Sequence, residues 1–461
     1  MGKESCVDGS LLKTRRAFLK TSLGFGLGSM MLGWLDPANL SLLGKVKASG
    51  TNITPRASAR NCLLVVLRGG ASHTDTFDLK VGKWTPKNLK PTKLSTGYLW
   101  PLGLMPKLAG KADKFSLIRS LQHVEVVHER AEYFLETGRR LNPGLRLEIP
   151  HIGAVTALET EASRSASDIF PSFITFNPFS YFATNNGFLP TQTAPFQLNN
   201  VTQGISNLLP KDGLAAFERR RNTFQLLDGA DQEFSSQPLS IIQAQAEKLL
   251  KDPITKTAFI ASPEDLSRYG SNPLGGSFAI ARNLFKVNRG TRFIEANHFN
   301  WDHHNGIYSS GVLESRCKEL DTALSTLIDD LSALPGQASG KTLLDETLVV
   351  VTGEFGRTVG PLNRSKGRDH YPYAFSAMML GGGIQGGRAI GSTDELGAGI
   401  ADFGWSQNRA IHLSDITTTI FSALGIDWTK TLSNTPSGRP FRYVDPEAIG
   451  DEDSYEISPL F

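Results

Sequence analysis

Short runs of consecutive apolar residues alternate with amphipathic helical patterns along most of this 461-residue chain. Strands that are apolar on consecutive positions are buried on both faces, as in a parallel sheet covered by helices. We therefore predict an α/β fold with a mostly parallel sheet sandwiched between helix layers. The predicted strands are 63–68, 115–118, 172–176, 292–296, 347–353 and 375–380. The predicted helices are 129–140, 214–227, 240–251, 277–288, 315–334 and 414–424.

Residues 1–48 are predicted to be an export signal. The run TRRAFLK, which contains Arg15 and Arg16, is followed by the uncharged stretch TSLGFGLGSMMLGWL. In a helix this stretch would span about 22 Å, less than the ~30 Å hydrocarbon core, so a permanent membrane span is disfavoured. The arginine pair resembles a twin-arginine signal, with a small-residue cleavage site ending at Ala48. We expect a periplasmic or otherwise exported protein that engages the twin-arginine machinery; the alternative is an arginine pair before a buried helix.

The remaining chain is close to electrically neutral. Residues 1–48 hold seven of the 48 Lys/Arg and three of the 45 Asp/Glu, which leaves 41 against 42 in the rest. A nucleic-acid partner is therefore not predicted. Residues 49–445 are predicted to form one domain. Within it, 177–212 is rich in Asn, Gln, Thr and Pro and is predicted to be a surface excursion, and 446–461 an irregular tail.

Polar clusters lie next to several predicted strands, where α/β proteins place ligand sites. RGGASHTD at 68–75 would expose backbone N–H groups to an anion, although a simple turn is the alternative. HFNWDHHN at 298–305 contains three of the nine histidines, which favours a metal or acid/base site. The other clusters are TGEFGR at 352–357 and GRDHYP at 367–372.

If these loops converge, the carboxylates of Asp302, Glu354 and Asp369 would repel one another. A divalent cation would relieve the repulsion, as would the neighbouring arginines. No GxSxG motif is present, and the glycine-rich run GGGIQG is followed by turn-like sequence rather than a helix. Neither a serine hydrolase of the α/β class nor a dinucleotide-binding protein is therefore predicted.

In this order the motifs resemble those of an exported bacterial family, domain of unknown function 1501. The matching stretches span roughly residues 60 to 445 and are LVVLRGGASHTDTFDLK, FSLIRSLQHVEVVHERAEYFLETGR, NHFNWDHHN, VVVTGEFGRT, GRDHYPYAFSAMMLGGGIQGGRAIGSTDELG and HLSDITTTIFSALGI. That family is similar to the alkaline phosphatase and sulfatase superfamily. The resemblance implies an alkaline phosphatase-like fold, with one or two divalent cations at the carboxyl edge of the sheet beside a hydroxyl-type nucleophile.

The chain departs from that superfamily at several positions. Arg68 and Gly69 stand where sulfatases have paired metal-binding aspartates, and Glu354 with Phe355 replaces a second pair. The nucleophile position, counted back from a Thr-Gly-Arg at 137–139, falls near Val127 or His128, and neither offers a hydroxyl or thiol. Relatives have Trp-Asp-Thr-His where this chain has Trp-Asp-His-His, so either His303 or His304 could face the site.

Two functions fit these observations. The first is an exported metal-dependent hydrolase of phosphate or sulfate esters, with an anionic small molecule or glycan ester as substrate. Its predicted metal ligands are Asp302, His304, Glu354 and His370, its catalytic residues His128 and Arg357, and its substrate-binding residues Arg68, Ser72, His73 and Arg139. The second is a non-catalytic binding or regulatory protein in which Arg68 replaces the cation and pairs with Asp302 and Glu354.

Overall fold

The computed structural model describes residues 53–182, 184–205, 213–229, 245–445 and 453–461. The predicted export signal, 1–48, lies outside the described residues. Within them, no helix combines the length and apolar character that a membrane crossing requires.

An eight-stranded sheet forms the centre of the described part of the chain. Its strands are β1 (Asn61–Leu67), β2 (Phe115–Leu121), β3 (Phe173–Phe176), β4 (Phe196–Leu198), β5 (Phe293–His298), β6 (Thr347–Thr352), β7 (Phe375–Leu380) and β8 (Ala389–Ile390). They lie in the order β8-β2-β7-β6-β1-β5-β3-β4. Every pairing is parallel except the two that β7 makes, with β2 and β6. The predicted mostly parallel sheet is confirmed.

Helices pack on both faces of this sheet. They are α1 (Pro106–Ala109), α2 (His128–Thr137), α3 (Ile152–Glu161), α4 (Gly213–Gly229), α5 (Ile254–Ala258), α6 (Pro263–Tyr269), α7 (Pro273–Val287), α8 (Val312–Ala333) and α9 (Leu413–Ala423), with a further helical segment at 245–251. Leu63 and Val65 of β1 share a core cluster with α7 and α8, whereas Leu64 and Val66 share one with α2, α3 and α9. Alternate residues of one strand thus enter two cores, which is the sandwich predicted from the sequence.

Local sequence explains where several helices begin. Ser262 and Asp265 form a reciprocal capping box at the start of α6, and Asn272 accepts a hydrogen bond from the Gly275 N–H at the start of α7. Helix α7 ends at Asn288, whose φ of 48° is left-handed. These caps satisfy backbone groups that the helix ends would otherwise leave unpaired.

Shorter strands and turns lie outside the eight-stranded sheet. Two-stranded ribbons pair Pro91–Lys93 with Leu99–Pro101, Gly356–Arg357 with His370–Tyr371, Ser392–Thr393 with Ile400–Asp402, and Thr431–Leu432 with Phe441–Arg442. Short 3₁₀ turns occur at His73–Asp75, Lys87–Leu89, Thr191–Thr193 and Ser458–Leu460.

The predicted surface excursion, 177–212, and the predicted irregular tail, 446–461, both contribute to the fold. The range 177–212 supplies β4, which pairs with β3 at the edge of the sheet. In the tail, Ile457 and Leu460 are fully buried in the core that covers α9. The apolar side chains of Ile457 and Leu460 explain why this part of the tail is buried.

Candidate metal centre

Four segments meet at the edge where the parallel strands end. In the register of the sheet Leu67 of β1 lies beside His298 of β5, and Val66 lies beside Thr352 of β6. The residues that follow these three strands therefore begin at nearly the same level. Because β7 is antiparallel, the segment that precedes it reaches this edge too. The sheet thus brings together motifs that are hundreds of residues apart in sequence.

Gly69 allows the first of these segments to lie directly against the second. Its φ is 106°, and a Cβ there would lie 2.5 Å from the backbone nitrogen of Asp302. Its N–H donates to Glu354 Oε1 at 3.0 Å. Any side chain at position 69 would therefore force the loops apart.

Three imidazole rings converge on the carboxylate of Asp302. His304 Nε2 lies 3.0 Å from Asp302 Oδ1 and 3.0 Å from His370 Nε2, and His370 Nε2 lies 3.5 Å from the same oxygen. His128 Nε2 lies 3.5 Å from Asp302 Oδ2. The four side chains come from the start of α2, from the loop after β5 and from the ribbon before β7.

The second nitrogen of each ring, Nδ1, meets a hydrogen-bond acceptor. The acceptors are Glu354 Oε1 for His128 at 2.7 Å, Asp369 Oδ1 for His304 at 2.8 Å, and the Val126 carbonyl for His370 at 2.7 Å. Because these acceptors have no proton to give, we assign the proton to Nδ1 in each neutral ring. The lone pair of each ring is then on Nε2, facing the Asp302 carboxylate. Such an arrangement needs a shared proton or a metal ion between the rings and the carboxylate.

Arg357 supports Asp302 from the interior of the protein. Its buried guanidinium donates to the Asp302 carboxylate and to the carbonyls of Gly69, Gly70 and Arg368. With its donors occupied in this way, Arg357 has no free face for a substrate. The prediction that it binds an anion during catalysis therefore does not fit its position, which is that of a residue that holds Asp302 in place.

The electrostatics of the cluster are dominated by these contacts. Burial would raise the pKa of the Asp302 carboxyl, but the neighbouring His128 and His370 rings and the Arg357 guanidinium hold it well below its usual range. Burial would lower the pKa of His128, but the carboxylates of Asp302 and Glu354 raise it to about 9. Without a metal ion, His128 is therefore protonated at neutral pH.

Glu354 carries an unsatisfied buried oxygen. The side chain is fully buried, and its Oε1 accepts from Gly69 and His128. Its Oε2 has no hydrogen-bond partner among the described residues. A buried acceptor left unpaired costs about 1–3 kcal/mol, so a cation or a water molecule beside it would be stabilising. Ligand atoms of His128, Glu132 and Glu354 lie within 4.8 Å of one another.

The residues present fit a divalent cation. Two imidazoles and one carboxylate (His304, His370 and Asp302) bring ligand atoms to separations of 3.0, 3.0 and 3.5 Å. Tetrahedral ligands about 2.0–2.1 Å from a zinc ion would be about 3.4 Å apart. Asp302 and His304 are 44% and 38% exposed, so solvent or a ligand can approach. Three protein ligands with an open position are typical of catalytic rather than structural sites.

Arg68 is not part of this open site. Its guanidinium is 3% exposed and lies 2.8 Å from Glu132, 2.6 Å from Glu136 and 3.1 Å from Glu295. Its Nε donates to Asn297 Oδ1 at 2.6 Å. A substrate-binding role for Arg68 therefore does not fit the structure. Its expected partners were Asp302 and Glu354, and this pairing is wrong because three other carboxylates surround it.

The other predicted substrate-binding residues contact protein groups other than the three imidazoles. The contacts are Ser72 Oγ to Asp75 Oδ2 at 2.6 Å, His73 Nε2 to the Gly397 carbonyl at 2.9 Å, Arg139 to the Arg442 carbonyl, and Arg139 over the Phe441 ring at 4.4 Å. Ser72 and His73 are buried. An anion-binding role does not fit, because Ser72 and His73 are buried and because the Ser72 hydroxyl, His73 Nε2 and an Arg139 terminal nitrogen already bond to protein groups.

The structure distinguishes the two adjacent histidines of the WDHH motif. His304 belongs to the cluster, whereas His303 is buried, and neither of its ring nitrogens has a hydrogen-bond partner in the described part of the chain. Burial, with a smaller effect of Arg357, lowers the pKa of His303 to about 4. His303 is therefore a neutral buried ring at physiological pH.

The model of a family described as "Protein of unknown function (DUF1501)" matches residues 59–451. The chain belongs to the DUF1501 family. The family predicted from the motifs is thereby confirmed.

The DUF1501 chain is also similar to several solved structures. Lipoteichoic acid synthase LtaP from Listeria monocytogenes is 12% identical, with 85% of this chain and 79% of that chain covered and a TM-score of 0.40. A protein in the alkaline phosphatase superfamily from Vibrio parahaemolyticus is 14% identical over 88% and 78%, with a TM-score of 0.38. Phosphonate monoester hydrolase SpPMH from Silicibacter pomeroyi is 11% identical over 87% and 76%, with a TM-score of 0.39. No curated protein matches the chain.

The carboxylate partners of Arg68 in this DUF1501 protein were not predicted from its sequence. Glu132 and Glu136 lie at four-residue spacing from each other, and His128 lies four residues before Glu132. This spacing places all three on one face of α2. In the sequence the two glutamates stand among apolar residues, in the run AEYFLE at 131–136, and this was the available signal. The second signal was Glu295, a charged residue inside the apolar strand β5.

Proposed function

We propose that this protein is a metal-dependent hydrolase of phosphate or sulfate esters. The observation that carries the proposal is the convergence of three imidazole Nε2 atoms on Asp302, each ring being oriented by an acceptor at Nδ1. Oriented rings of this kind are characteristic of metal-ligating histidines.

Asp302, His304 and His370 would hold the ion. A divalent ion bound there would polarise an ester oxygen and lower the pKa of a coordinated water. Glu354 was predicted as a fourth ligand, but it lies behind His128 and bonds to its Nδ1. We therefore assign Glu354 the role of orienting His128, as acidic residues do in other histidine-based acid/base sites.

His128 is the proton-transfer residue of the proposal. It begins α2 and follows Val127, so neither residue at the start of this helix provides a hydroxyl nucleophile. Water is therefore the proposed nucleophile. His128 Nε2 faces the same carboxylate as the two metal-ligating rings, within reach of a molecule bound between them.

The test begins with elemental analysis of the mature protein purified from its native host and dialysed. We expect close to one equivalent of a divalent ion, and less than about a tenth of an equivalent would refute the proposal. Aryl phosphate and aryl sulfate hydrolysis is then assayed. His370→Ala should lose the metal, whereas His128→Gln should keep it and lose about 100-fold or more in turnover. Asp113→Asn, a change at an exposed residue, is the control for both variants.

A second candidate is a non-catalytic protein that binds an anionic glycan or partner in the same pocket. Arg357 favours it, because this buried guanidinium already balances the charge of Asp302 without a metal ion. The sequence predicted that Arg68 would replace the cation and pair with Asp302. In the structure Arg357 makes this ion pair. This candidate expects metal-free protein that binds sulfate, with binding lost in His128→Gln; no sulfate binding by metal-free protein would refute it.

We infer a site of action outside the cytoplasm from the export signal predicted in residues 1–48. Replacement of Arg15 and Arg16 by lysine should retain the protein in the cytoplasm. Immunoblots of cell fractions provide the measurement, and unchanged export of the double variant would contradict this part of the proposal.

A further inference from the structure

An open cleft with a volume of about 610 Å³ adjoins the candidate metal centre. Its walls are the loop after β2, the residues that follow the His370–Tyr371 ribbon strand, and the segment 403–412 before α9. Both β2 and β6 pair with β7 in the antiparallel sense, so β2 runs parallel to β6 and β1 and ends at the same edge of the sheet. The cleft and the metal centre therefore share the edge at which α/β proteins bind ligands.

Two hydrogen bonds join the wall of the cleft to the ribbon of the metal centre. The carbonyl of Val126, which lines the cleft, accepts from His370 Nδ1 at 2.7 Å. The His123 N–H donates to the carbonyl of Pro372, two residues beyond His370, at 2.8 Å. Because His370 Nε2 faces Asp302, one imidazole ring lies between the Asp302 carboxylate and the cleft wall. A molecule whose anionic group is bound at the centre would have this wall beside it.

Several apolar side chains of this wall are left in solvent. Val124, Val126 and Val127 are 40%, 47% and 44% exposed, and Tyr373 is 58% exposed. Three of the four line the cleft, and Val127 lies between Val126 and His128 in the sequence. Exposed apolar side chains concentrated beside a functional site point to a ligand that covers them.

The cleft offers little charge to a ligand. Among the residues that the structure describes, no Asp, Glu or Lys lines it. Arg409 lines it but donates to both carboxylate oxygens of Asp415, at 2.7 and 2.9 Å. Burial lowers the pKa of His123 to about 3, so this ring is neutral at physiological pH. An uncharged group therefore suits the cleft better than a second ionic group.

We propose that the cleft binds an uncharged aryl or alkyl group, the organic part of an ester whose anionic group lies at the metal centre. The placement of the anionic group rests on the proposed function. Valine and tyrosine side chains bury the apolar surface of such a group and gain affinity from its removal from water. Sugar hydroxyl groups held against the valines would instead lose hydrogen bonds to water. The preferred substrates are therefore aryl or alkyl esters rather than sugar esters.

The first test uses the whole mature protein with added Zn²⁺ and two phosphonates, whose carbon–phosphorus bond is not an ester. Methylphosphonate and hexylphosphonate carry the same anionic group and differ only in the length of the apolar chain. Calorimetry measures both affinities. We expect hexylphosphonate to bind about tenfold or more tightly than methylphosphonate. Equal affinities for the two phosphonates would overturn the proposal.

A second test separates the cleft from the metal centre. In EDTA, 2-naphthol serves as an uncharged aromatic probe, and its binding is followed by its fluorescence. We expect 2-naphthol to bind about tenfold or more tightly than glucose, a polar uncharged probe. No binding of 2-naphthol, or equal or tighter binding of glucose, would overturn the assignment of an apolar group. Because no metal ion is needed, this result stands even if the protein proves not to be a metalloenzyme.

Single substitutions then locate the binding site. Tyr373→Ala and Val124→Thr should each raise the Kd of 2-naphthol about threefold or more, whereas Tyr373→Phe keeps the ring and should retain binding. Both weakening variants should leave methylphosphonate affinity unchanged. Val81→Thr alters a valine that is 55% exposed and does not line the cleft, and it is the matched control. Unchanged 2-naphthol affinity in Tyr373→Ala and Val124→Thr would refute the site and leave the proposed hydrolase function untouched.

Discussion

Asp369 illustrates how a residue outside the proposed metal ligands can orient one of them. Its Oδ1 accepts from His304 Nδ1 at 2.8 Å and from Asn363 Nδ2 at 3.1 Å. The contact with His304 lowers the pKa of the Asp369 carboxyl, which keeps its charge available to the ring. The carboxylate therefore determines which nitrogen of His304 is free to bind a cation.

Asp369→Asn should weaken zinc binding about 10- to 100-fold without altering the fold, because Asp369 is exposed and orients a ligand rather than supplying one. Competition titration with a chelator measures the affinity, and Asp113→Asn is the control. Equal zinc affinity in Asp369→Asn and the parent would show that His304 does not depend on this carboxylate.

Arg68 is buried and forms ion pairs in the interior of the protein. Three carboxylates, Glu132, Glu136 and Glu295, share its guanidinium, and together they raise its pKa against the effect of burial. Removing the arginine would leave three buried acids without their cation. The sequence analysis expected Arg68 to pair with Asp302, but Asp302 pairs with Arg357 instead.

Arg68→Met should lower the free energy of unfolding by about 3–5 kcal/mol, since breaking a buried ion-pair network leaves uncompensated charge. Urea denaturation provides the measurement. Arg60→Met, at an exposed position just before β1, should change stability by less than about 0.5 kcal/mol. If the two variants unfolded alike, Arg68 would not have this structural role.

At the scale of elements, His151 joins the start of α3 to strand β5. Its Nδ1 accepts from the Gly153 N–H at 2.9 Å and its Nε2 donates to Glu295 Oε2 at 2.7 Å. Burial would raise the pKa of Glu295, but His151 and Arg68 lower it to about 2. Because the folded-state pKa is depressed, this contribution to stability is complete above about pH 4.5 and is lost as the pH falls toward 2.

His151→Asn keeps an acceptor for the helix start but no longer reaches Glu295. It should cost about 1–3 kcal/mol at pH 7 and make unfolding less sensitive to pH between about 4.5 and 2. His151→Ala should cost about 1 kcal/mol more, because it also removes the cap. Urea unfolding at several pH values tests both effects, and equal costs for the two variants would contradict a capping role.

For the whole molecule, the end of the chain closes the same core as the central strands. Leu460 and Ile457 are fully buried, and the Ile457 N–H donates to Thr419 Oγ1 of α9 at 3.0 Å. Composition indicated an irregular tail, and apart from the turn at Ser458–Leu460 the described part of it is irregular. Its burial depends on a position in space that composition does not encode.

Leu460→Ala should lower the free energy of unfolding by about 2–5 kcal/mol, because it opens a cavity in a packed core. Leu396→Ala, at a leucine that is 49% exposed, should change it by less than about 0.5 kcal/mol. Thermal and urea unfolding of the two variants provide the comparison. A small effect at position 460 would show that the tail packs loosely.

Much of the architecture could be predicted from the sequence, because the local pattern of apolar residues indicates which strands and helices are buried. The six longest strands and the family followed from consecutive apolar positions and from motif order. The short strands β4 and β8 were missed, since two or three residues cannot display a period. The roles of Arg68 and Arg357 were not predicted. The sequence after a strand does not show whether an arginine side chain faces a pocket or a buried carboxylate.

By itself the sequence determined the layered sheet and the presence of histidines and acids at its carboxyl edge, because strand periodicity and chain order decide which segments end there. Only the tertiary structure decided which residues contact Asp302. His304 lies beside its carboxylate and His303 is buried elsewhere, and Arg357 rather than Arg68 forms the ion pair with it. Pairing of charges depends on distances of 3 to 4 Å between residues far apart in the chain. No local pattern specifies such distances.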